Sequence, residues 1–134
     1  MSNLAADTVP LFGRDFDRFV DFLIADGKRP SISPTRFALV FGFDMQSFAA
    51  AAHVDCHTVT RAPESEKVQR YLRESISSLR AAADASRSIE KAIYWYKNNP
   101  IPVFDYKTGH QLVSEGRSQD LIRYLQSLRA GFAG

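Results

Sequence analysis

The sequence predicts an all-α protein with a front helical domain and a small C-terminal helical unit. Apolar side chains recur at helical spacing in most of the chain, and the seven glycines and six prolines fall between these periodic segments. We find no pair of alternating strands and no hairpin turn such as Asn-Gly. Because 45% of the 134 residues are hydrophobic, the chain can bury a core, and disorder of the whole chain is not expected.

The first helix is predicted over residues 14–25, and residues 1–11 are expected to form a frayed tail. An apolar stripe should face the core, formed by Phe16, Phe19, Val20 and Leu23. After a linker, Ser33 and Pro34 predict the start of a second helix, because serine is a favoured N-cap and proline fits the first helical position. Its apolar face consists of Phe37, Val40 and Phe41.

Two short helices joined by a three-residue turn are predicted around residues 48–61, FAAAAHVDCHTVTR. Asp44 should cap the first of these helices and Asp55 the second. His53 occupies the turn position where glycine is usual, since the backbone there tends to be left-handed. Small or apolar residues should let the two helices cross closely and hold them together, namely Ala49, Val54 and Val59.

A long helix should begin at Pro63 and continue to about Ala85. Ser86 or Ser88 should cap the next helix, whose sequence is IEKAIYWYKN and which should stop before a proline. Trp95 is expected in the core of this unit, together with Phe104 from the following loop.

The last two helices are predicted from their capping signals. Thr108 and Gln111 have the spacing of a capping box, which opens a short helix over residues 109–115. Ser118 should cap the final helix, which is expected to end at Gly131.

These helices and linkers predict that the chain is divided into three segments. Residues 1–33 form an N-terminal tail and helix, residues 34–86 form a domain with a long connecting helix, and residues 87–134 form the C-terminal unit.

The pattern around residues 44–62 is typical of a helix-turn-helix, whose second helix enters the major groove of DNA. The first helix would contact phosphate through its N-terminus, and the second would face base edges or nearby phosphates. The candidate DNA-binding residues are Gln46, Ser47, Cys56, His57, Thr58, Arg61 and Lys67. The net charge of only +2 would require a local basic patch and more than one copy of the protein, which favours a homodimer. The alternative is a degenerate helix-turn-helix with a purely structural role.

The sequence favours no catalytic or metal chemistry. His53, Cys56 and His57 lie close together, but no second Cys/His pair completes a structural zinc site. No strained nucleophile turn, oxyanion motif or phosphate-binding loop is present. We therefore expect a protein that is not an enzyme and that needs no metal or cofactor.

A cytoplasmic location is expected from the same sequence. The single cysteine, Cys56, cannot form an intramolecular disulfide and suits a reducing compartment. The N-terminus lacks the pattern of a signal peptide, and no apolar run is long enough to span a membrane.

Exposed aromatic residues indicate a protein-binding surface in the C-terminal unit. Tyr94, Tyr96 and Tyr106, together with the apolar loop that precedes Tyr106, exceed what so small a core can hide. Enrichment in tyrosine and tryptophan is typical of surfaces that bind partners.

The C-terminal half resembles the toxin-binding domain of the Xre/MbcA/ParS antitoxins. The shared features are a helix with a tryptophan, an Asn-Pro loop, a Thr-capped short helix ending in glycine, and a last helix closing with glycine. Here they are Trp95, Asn99 and Pro100, Thr108 to Gly116, and Ser118 to Gly131. The helix-turn-helix in the front half resembles the Xre-like helix-turn-helix of the same antitoxins. The resemblance therefore covers roughly residues 34–134. The loop IPVFDYK and Gly109 depart from the family pattern.

The resemblance implies an antitoxin that binds and neutralises a toxin encoded by a neighbouring gene, often a RES-domain toxin that degrades NAD. Such antitoxins block the entrance of the toxin's active site with their C-terminal region, form dimers and repress their own operon. Carried onto this chain, the toxin-binding residues would be Tyr106, Lys107, His110, Arg117, Arg123, Arg129 and Phe132. Two alternatives stay open: a helix-turn-helix transcription regulator without a toxin, and a protein-binding module with a degenerate helix-turn-helix.

Overall fold

The computed structural model describes residues 9–24 and 31–133, with side chains as far as Arg129, and this part of the chain contains no strand. The prediction of an all-α protein is therefore confirmed. In chain order the helices are α1 (Phe16–Leu23), α2 (Pro34–Phe41), α3 (Met45–Ala52), α4 (Cys56–Arg61), α5 (Glu66–Ser86), α6 (Ile89–Asn98), α7 (Gly109–Ser114) and α8 (Ser118–Ala133). One turn of 3-10 helix, Pro102–Phe104, lies between α6 and α7.

Side-chain caps begin four of these eight helices where the sequence predicts them. Ser33, Asp44, Ser88 and Thr108 each accept a hydrogen bond from the backbone N–H three residues later. The Gln111 side-chain oxygen accepts a hydrogen bond from the Thr108 backbone N–H, which completes the predicted capping box. Each such cap stabilises its helix by about 1 kcal/mol.

Two helix starts in the middle of the chain differ from the prediction. Asp55 occupies the N-cap position of α4, but its side chain makes no capping hydrogen bond. The helix α5 begins at Glu66 and not at Pro63. The reason is that the Gln69 side-chain amide donates to the Pro63 carbonyl at 2.8 Å, and residues 62–65 form a turn.

The first and last helices also have different ends from those predicted. The helix α1 begins at Phe16, because Asp15 caps it by accepting a hydrogen bond from the Arg18 backbone at 3.0 Å. Ser118 is the first residue of α8 and not its cap, since the Leu121 amide bonds the carbonyl of Arg117. The helix also continues through Gly131, because one glycine weakens a helix without ending it.

The long helix α5 is the centre of the fold. It contacts α2 and α3 on the N-terminal side of the chain and α6, α7 and α8 on the C-terminal side. Leu72 and Leu79 of its apolar stripe are fully buried between them. The two halves of the chain therefore share one core along this helix.

Aromatic rings fill the space where the two halves meet. Phe37 of α2 stacks on Phe41, with ring centroids 4.2 Å apart, and Phe41 meets the edge of Tyr96 from α6 at 5.7 Å. Tyr96 is fully buried, whereas Trp95 is only half-buried. The prediction of Trp95 and Phe104 as core residues holds only in part, because both are half-buried and pack against the core from outside. The buried stripe of α6 runs instead through Ile89, Ala92 and Tyr96.

A glycine allows α7 to approach its neighbours closely. A Cβ atom at Gly109 would lie 3.1 Å from a ring carbon of Tyr96 and 3.3 Å from a methyl group of Leu121. The backbone of α7 therefore packs directly against α6 and α8, which positions the loop before it.

Candidate DNA- and partner-binding surfaces

The helices α3 and α4 are joined by a three-residue turn with a left-handed backbone. His53 has φ 60° and ψ 42°, the conformation that the sequence pattern requires of it. Its N–H donates to the Ala50 carbonyl, and the N–H of Val54 donates to the Ala49 carbonyl at 3.0 Å. Ala49 and Val59 are buried. The local geometry of this helix pair is thus set by a small residue, an apolar residue and a left-handed turn.

The candidate DNA-binding residues do not all lie on one exposed face. Gln46, Ser47, His57, Arg61 and Lys67 are exposed, but Cys56 and Thr58 are half-buried.

The two half-buried candidates lie on the inner side of α4. The thiol of Cys56 points to the carbonyl of Met45 at 3.8 Å. Thr60 is exposed in place of Thr58, because positions 57, 60 and 61 share the outer side of the helix. The helical period could have identified Thr60 from the sequence.

Acidic groups accompany the basic candidates on this part of the chain. Residues 44–70 contain four carboxylates and three cations. The carboxylates are Asp44, Asp55, Glu64 and Glu66, and the cations are Arg61, Lys67 and Arg70. Glu66 also pairs with Arg73 at 3.0 Å and with Arg70 at 3.7 Å. The local positive excess that binding to phosphate requires is absent from this segment.

The N-terminus of α3 already holds an anion of the chain itself. The Asp44 carboxylate accepts the Ser47 N–H at 2.7 Å, and this backbone hydrogen bond lowers the pKa of Asp44. A phosphate at this helix end would therefore meet a fixed negative charge. The predicted phosphate contact of Ser47 through its helix terminus is weakened for this reason.

The loop between α6 and α7 is closed and exposes two large apolar side chains. The Ile101 N–H donates to the Lys107 carbonyl at 2.9 Å, and the Tyr106 N–H donates to the Ile101 carbonyl at 3.0 Å. Ile101 is buried beneath the loop, whereas Val103 is 71% exposed and Tyr106 is 69% exposed. We call residues 101–107 the tyrosine loop.

Backbone strain is concentrated in the tyrosine loop. Asp105 has φ 57° and Tyr106 has φ 64°, so two consecutive residues other than glycine are left-handed. Aspartate tolerates this conformation, but a bulky side chain such as tyrosine seldom adopts it. Strain of this kind, about 1–3 kcal/mol per residue, concentrates at functional sites. The closed loop thus holds Tyr106 outward against its local preference.

The basic candidates of the C-terminal half each lie beside a carboxylate of the chain. Lys107 pairs with Glu115 at 2.9 Å, and Arg117 pairs with Asp120 at 3.1 Å. Arg123 lies 3.8 Å from Asp120, and Arg129 lies 4.0 Å from Asp84. Exposed pairs of this kind contribute only about 0–1 kcal/mol, so a carboxylate of a partner can replace the internal one.

His110 is not brought to the tyrosine loop as an exposed group. The His110 ring stacks on Phe43 with centroids 4.6 Å apart, and it meets Tyr96 at 5.9 Å. Burial, and secondarily the positive charge of Lys97, lowers the pKa of His110. The side chain of Phe132 lies outside the described residues.

A shallow groove of about 450 Å³ lies between the tyrosine loop and α8. Phe104, from the loop, meets the edge of Tyr124 from α8 at 5.6 Å, and the Arg117 guanidinium lies over the Phe104 ring at 5.2 Å. Arg123 also lines this groove, whereas Arg129 lines a different one. The structure therefore joins the loop to Arg117 and Arg123, but not to Arg129.

Within the described residues, no three His, Cys, Asp or Glu side chains are grouped as a metal ion would need. In residues 9–24 and 31–133, no helix has the length and the apolar character to cross a membrane. Comparison of the chain with protein-family models, with curated proteins and with solved structures gives no match. The resemblance to antitoxins rests on the motifs of residues 34–134 alone.

Proposed function

We propose that this chain is a protein-binding antitoxin, which neutralises a toxin through the tyrosine loop and the adjoining groove on α8. One observation carries the proposal: the loop presents Tyr106 and Val103 to solvent from a closed and strained backbone. Large apolar side chains with a polar rim are the usual anchors of protein interfaces. The partner is the product of a neighbouring gene, and its class is a RES-domain enzyme that degrades NAD.

The surroundings of Tyr106 support this role. Phe104 and Tyr124 add aromatic surface at the groove, and Arg117 and Arg123 form a charged rim around it. The exposed ion pairs of this rim are weak, so carboxylates of a partner can replace Asp120 as the partners of the two arginines. A ready-made loop also lowers the entropy that binding would otherwise cost.

Growth rescue tests the antitoxin proposal. Co-expression with a toxic flanking gene product should restore growth, and Tyr106→Gly should abolish this rescue while relieving the left-handed strain at φ 64°. The matched control is Asp105→Gly, which relieves the same kind of strain and keeps the aromatic ring, and it should rescue as the wild type does. The proposal is contradicted when no flanking product is toxic, or when Tyr106→Gly still rescues.

A second candidate function is binding to operator DNA through α3 and α4. The left-handed turn at His53 and the buried Ala49 and Val59 favour it, because they position α4 in the manner of a recognition helix. Exposed His57, Thr60 and Arg61 would then face the bases. The acidic groups in residues 44–70 make this interaction weak for one copy, so a homodimer on a palindromic site is proposed.

Footprinting on the DNA upstream of the gene tests the second candidate. Arg61→Ala should weaken protection and relax specificity at one position in each half-site. An unchanged footprint excludes the role of Arg61, and the absence of any footprint favours the alternative of a degenerate motif. Either function belongs in the cytoplasm, where a single free cysteine is stable in its reduced form.

A further inference from the structure

A second and larger groove, of about 570 Å³, lies where the segment before α1 meets the ends of α5 and α8. We call it the arginine groove. Its size falls in the range of small-molecule sites, about 300–1,000 Å³. Charged lining comes from all three walls, namely Arg14 before α1, Asp84 and Arg87 at the end of α5, and Arg129 on α8.

Most of the positive charge of the arginine groove has no partner within the described part of the chain. Within the described residues, Arg14 and Arg87 make no ion pair and no side-chain hydrogen bond. Arg129 is 4.0 Å from Asp84, and both side chains are exposed. Three guanidinium groups against one carboxylate leave the lining with an excess of two positive charges.

The N-terminal wall of the groove is held rigidly in place. The Glu90 carboxylate accepts the Phe12 N–H at 2.7 Å and the Gly13 N–H at 3.1 Å. In return, the N–H of Ile89 donates to the Gly13 carbonyl at 2.7 Å. Both oxygens of Glu90 are therefore engaged with the backbone, and the segment that carries Arg14 is fixed to the start of α6.

Arg87 reaches the groove from an unfavourable backbone conformation. It ends α5 with φ 64° and ψ 22°, the left-handed position that glycine usually fills. Its N–H donates to the Ala83 carbonyl at 2.7 Å, so the helix end itself needs only the backbone. An arginine at this position adds strain and gives the helix no capping side chain in exchange. Such a residue points to a role of its side chain in binding.

We propose that the arginine groove binds a small ligand that carries a diphosphate group. The excess of two positive charges matches a multiply charged anion. Guanidinium groups from three separate segments can contact a phosphate from several directions, because its oxygens surround the phosphorus tetrahedrally. A ligand with a carboxylate would suit this arrangement less well, since its two oxygens lie in one plane. The remaining volume leaves room for an organic group beyond the phosphates. This site involves neither the tyrosine loop nor α4, and it does not depend on the proposed antitoxin function.

Calorimetric titration of the full chain with inorganic pyrophosphate and with ADP, at low ionic strength, tests the proposal. We expect saturable 1:1 binding, weakened about tenfold or more by Arg87→Gly, because one charge-assisted contact contributes about that much. The melting temperature of Arg87→Gly should not fall, since glycine suits the left-handed position. Loss of binding by this variant is therefore separable from loss of folding.

The matched control is Arg73→Gln, which removes one positive charge from an exposed site about four turns earlier on α5. It should bind pyrophosphate as the wild type does. Tighter binding of ADP identifies a nucleotide ligand, and equal binding identifies the diphosphate alone as the group recognised. The proposal is overturned when no saturable binding occurs, or when Arg87→Gly and Arg73→Gln weaken it equally.

Discussion

Nε2 of His53 donates a hydrogen bond to the carbonyl oxygen of Ser114, with 2.8 Å between the two atoms. The Ser114 hydroxyl in turn donates to the Ala51 carbonyl at 2.7 Å. The last residue of α7 therefore holds the turn between α3 and α4. Residues 61 positions apart in the sequence connect the candidate DNA-binding helices to the half of the chain that carries the tyrosine loop.

The turn at His53 should respond differently to glycine and to alanine. Both substitutions remove the hydrogen bond to Ser114, at a cost of about 1 kcal/mol, but only glycine also relieves the left-handed backbone. We expect His53→Gly to be nearly as stable as the wild type and His53→Ala to lose about 1 kcal/mol. Urea unfolding measures the difference, and equal stability of the two variants would contradict the left-handed turn.

Gln69 should be among the polar residues most costly to replace. It is buried, and its side chain bonds the N–H and the carbonyl of Ile32 at 3.0 and 2.9 Å and also the carbonyl of Pro63. Gln69→Leu leaves these buried groups without partners, so we expect a loss of about 2–3 kcal/mol in the free energy of unfolding. Gln126→Leu, on the exposed side of α8, is the control and should change stability by less than about 0.5 kcal/mol. Similar losses in the two variants would contradict this role.

Stability should decrease with acid because of His110. Burial lowers the pKa of His110 in the folded protein below 6.5, so the unfolded chain takes up its proton first. The contribution of His110 to the stability of the fold is therefore fully present above pH 6.5. It is lost as the pH falls through the pKa that His110 has in the folded protein.

His110→Phe isolates this effect. Phenylalanine keeps a ring against Phe43 and removes a buried nitrogen, Nε2, that has no hydrogen-bond partner among the described residues. We expect the variant to be at least as stable at pH 7.5 and to lose less stability than the wild type between pH 6.5 and pH 5. Unfolding curves at several pH values measure this, and identical pH dependence in both proteins would rule out the buried imidazole as a cause.

Asp44 should limit binding to DNA when α3 faces the phosphates. Asp44→Asn keeps a good N-cap for α3, since the asparagine side chain can still accept the Ser47 N–H, but it removes the negative charge from the helix end. We expect a severalfold higher affinity for DNA and a steeper dependence on salt, measured by fluorescence anisotropy at several salt concentrations. Asp17→Asn, on the exposed side of α1, is the control for the change in net charge. Equal effects of the two variants would show that α3 does not approach the phosphates.

The sequence predicts those features that depend on residues within one helical turn of each other. The caps at Ser33, Asp44, Ser88 and Thr108 were predictable because a side chain and the amide three residues later define each of them. The left-handed His53 followed from the turn pattern for the same reason.

Contacts between distant segments were not predictable in this way. Whether Trp95 or Tyr96 enters the core depends on where Phe41 and Ser75 lie, and both are far away in the sequence. The link from His53 to Ser114 and the bridging role of Gln69 have no local signal. At the candidate surfaces, the sequence predicts the exposure of Tyr106, but the burial of His110 depends on Phe43 from the other half.

The most direct measurement is the affinity of the chain for the toxic product of its neighbouring gene, by calorimetry, for the wild type, Tyr106→Gly and Asp105→Gly. Loss of a central aromatic anchor costs about 2 kcal/mol or more, so Tyr106→Gly should bind at least about thirtyfold more weakly. Asp105→Gly should bind like the wild type, and neither variant should melt at a lower temperature. Equal affinities of the wild type and Tyr106→Gly would contradict the tyrosine loop as the partner-binding surface.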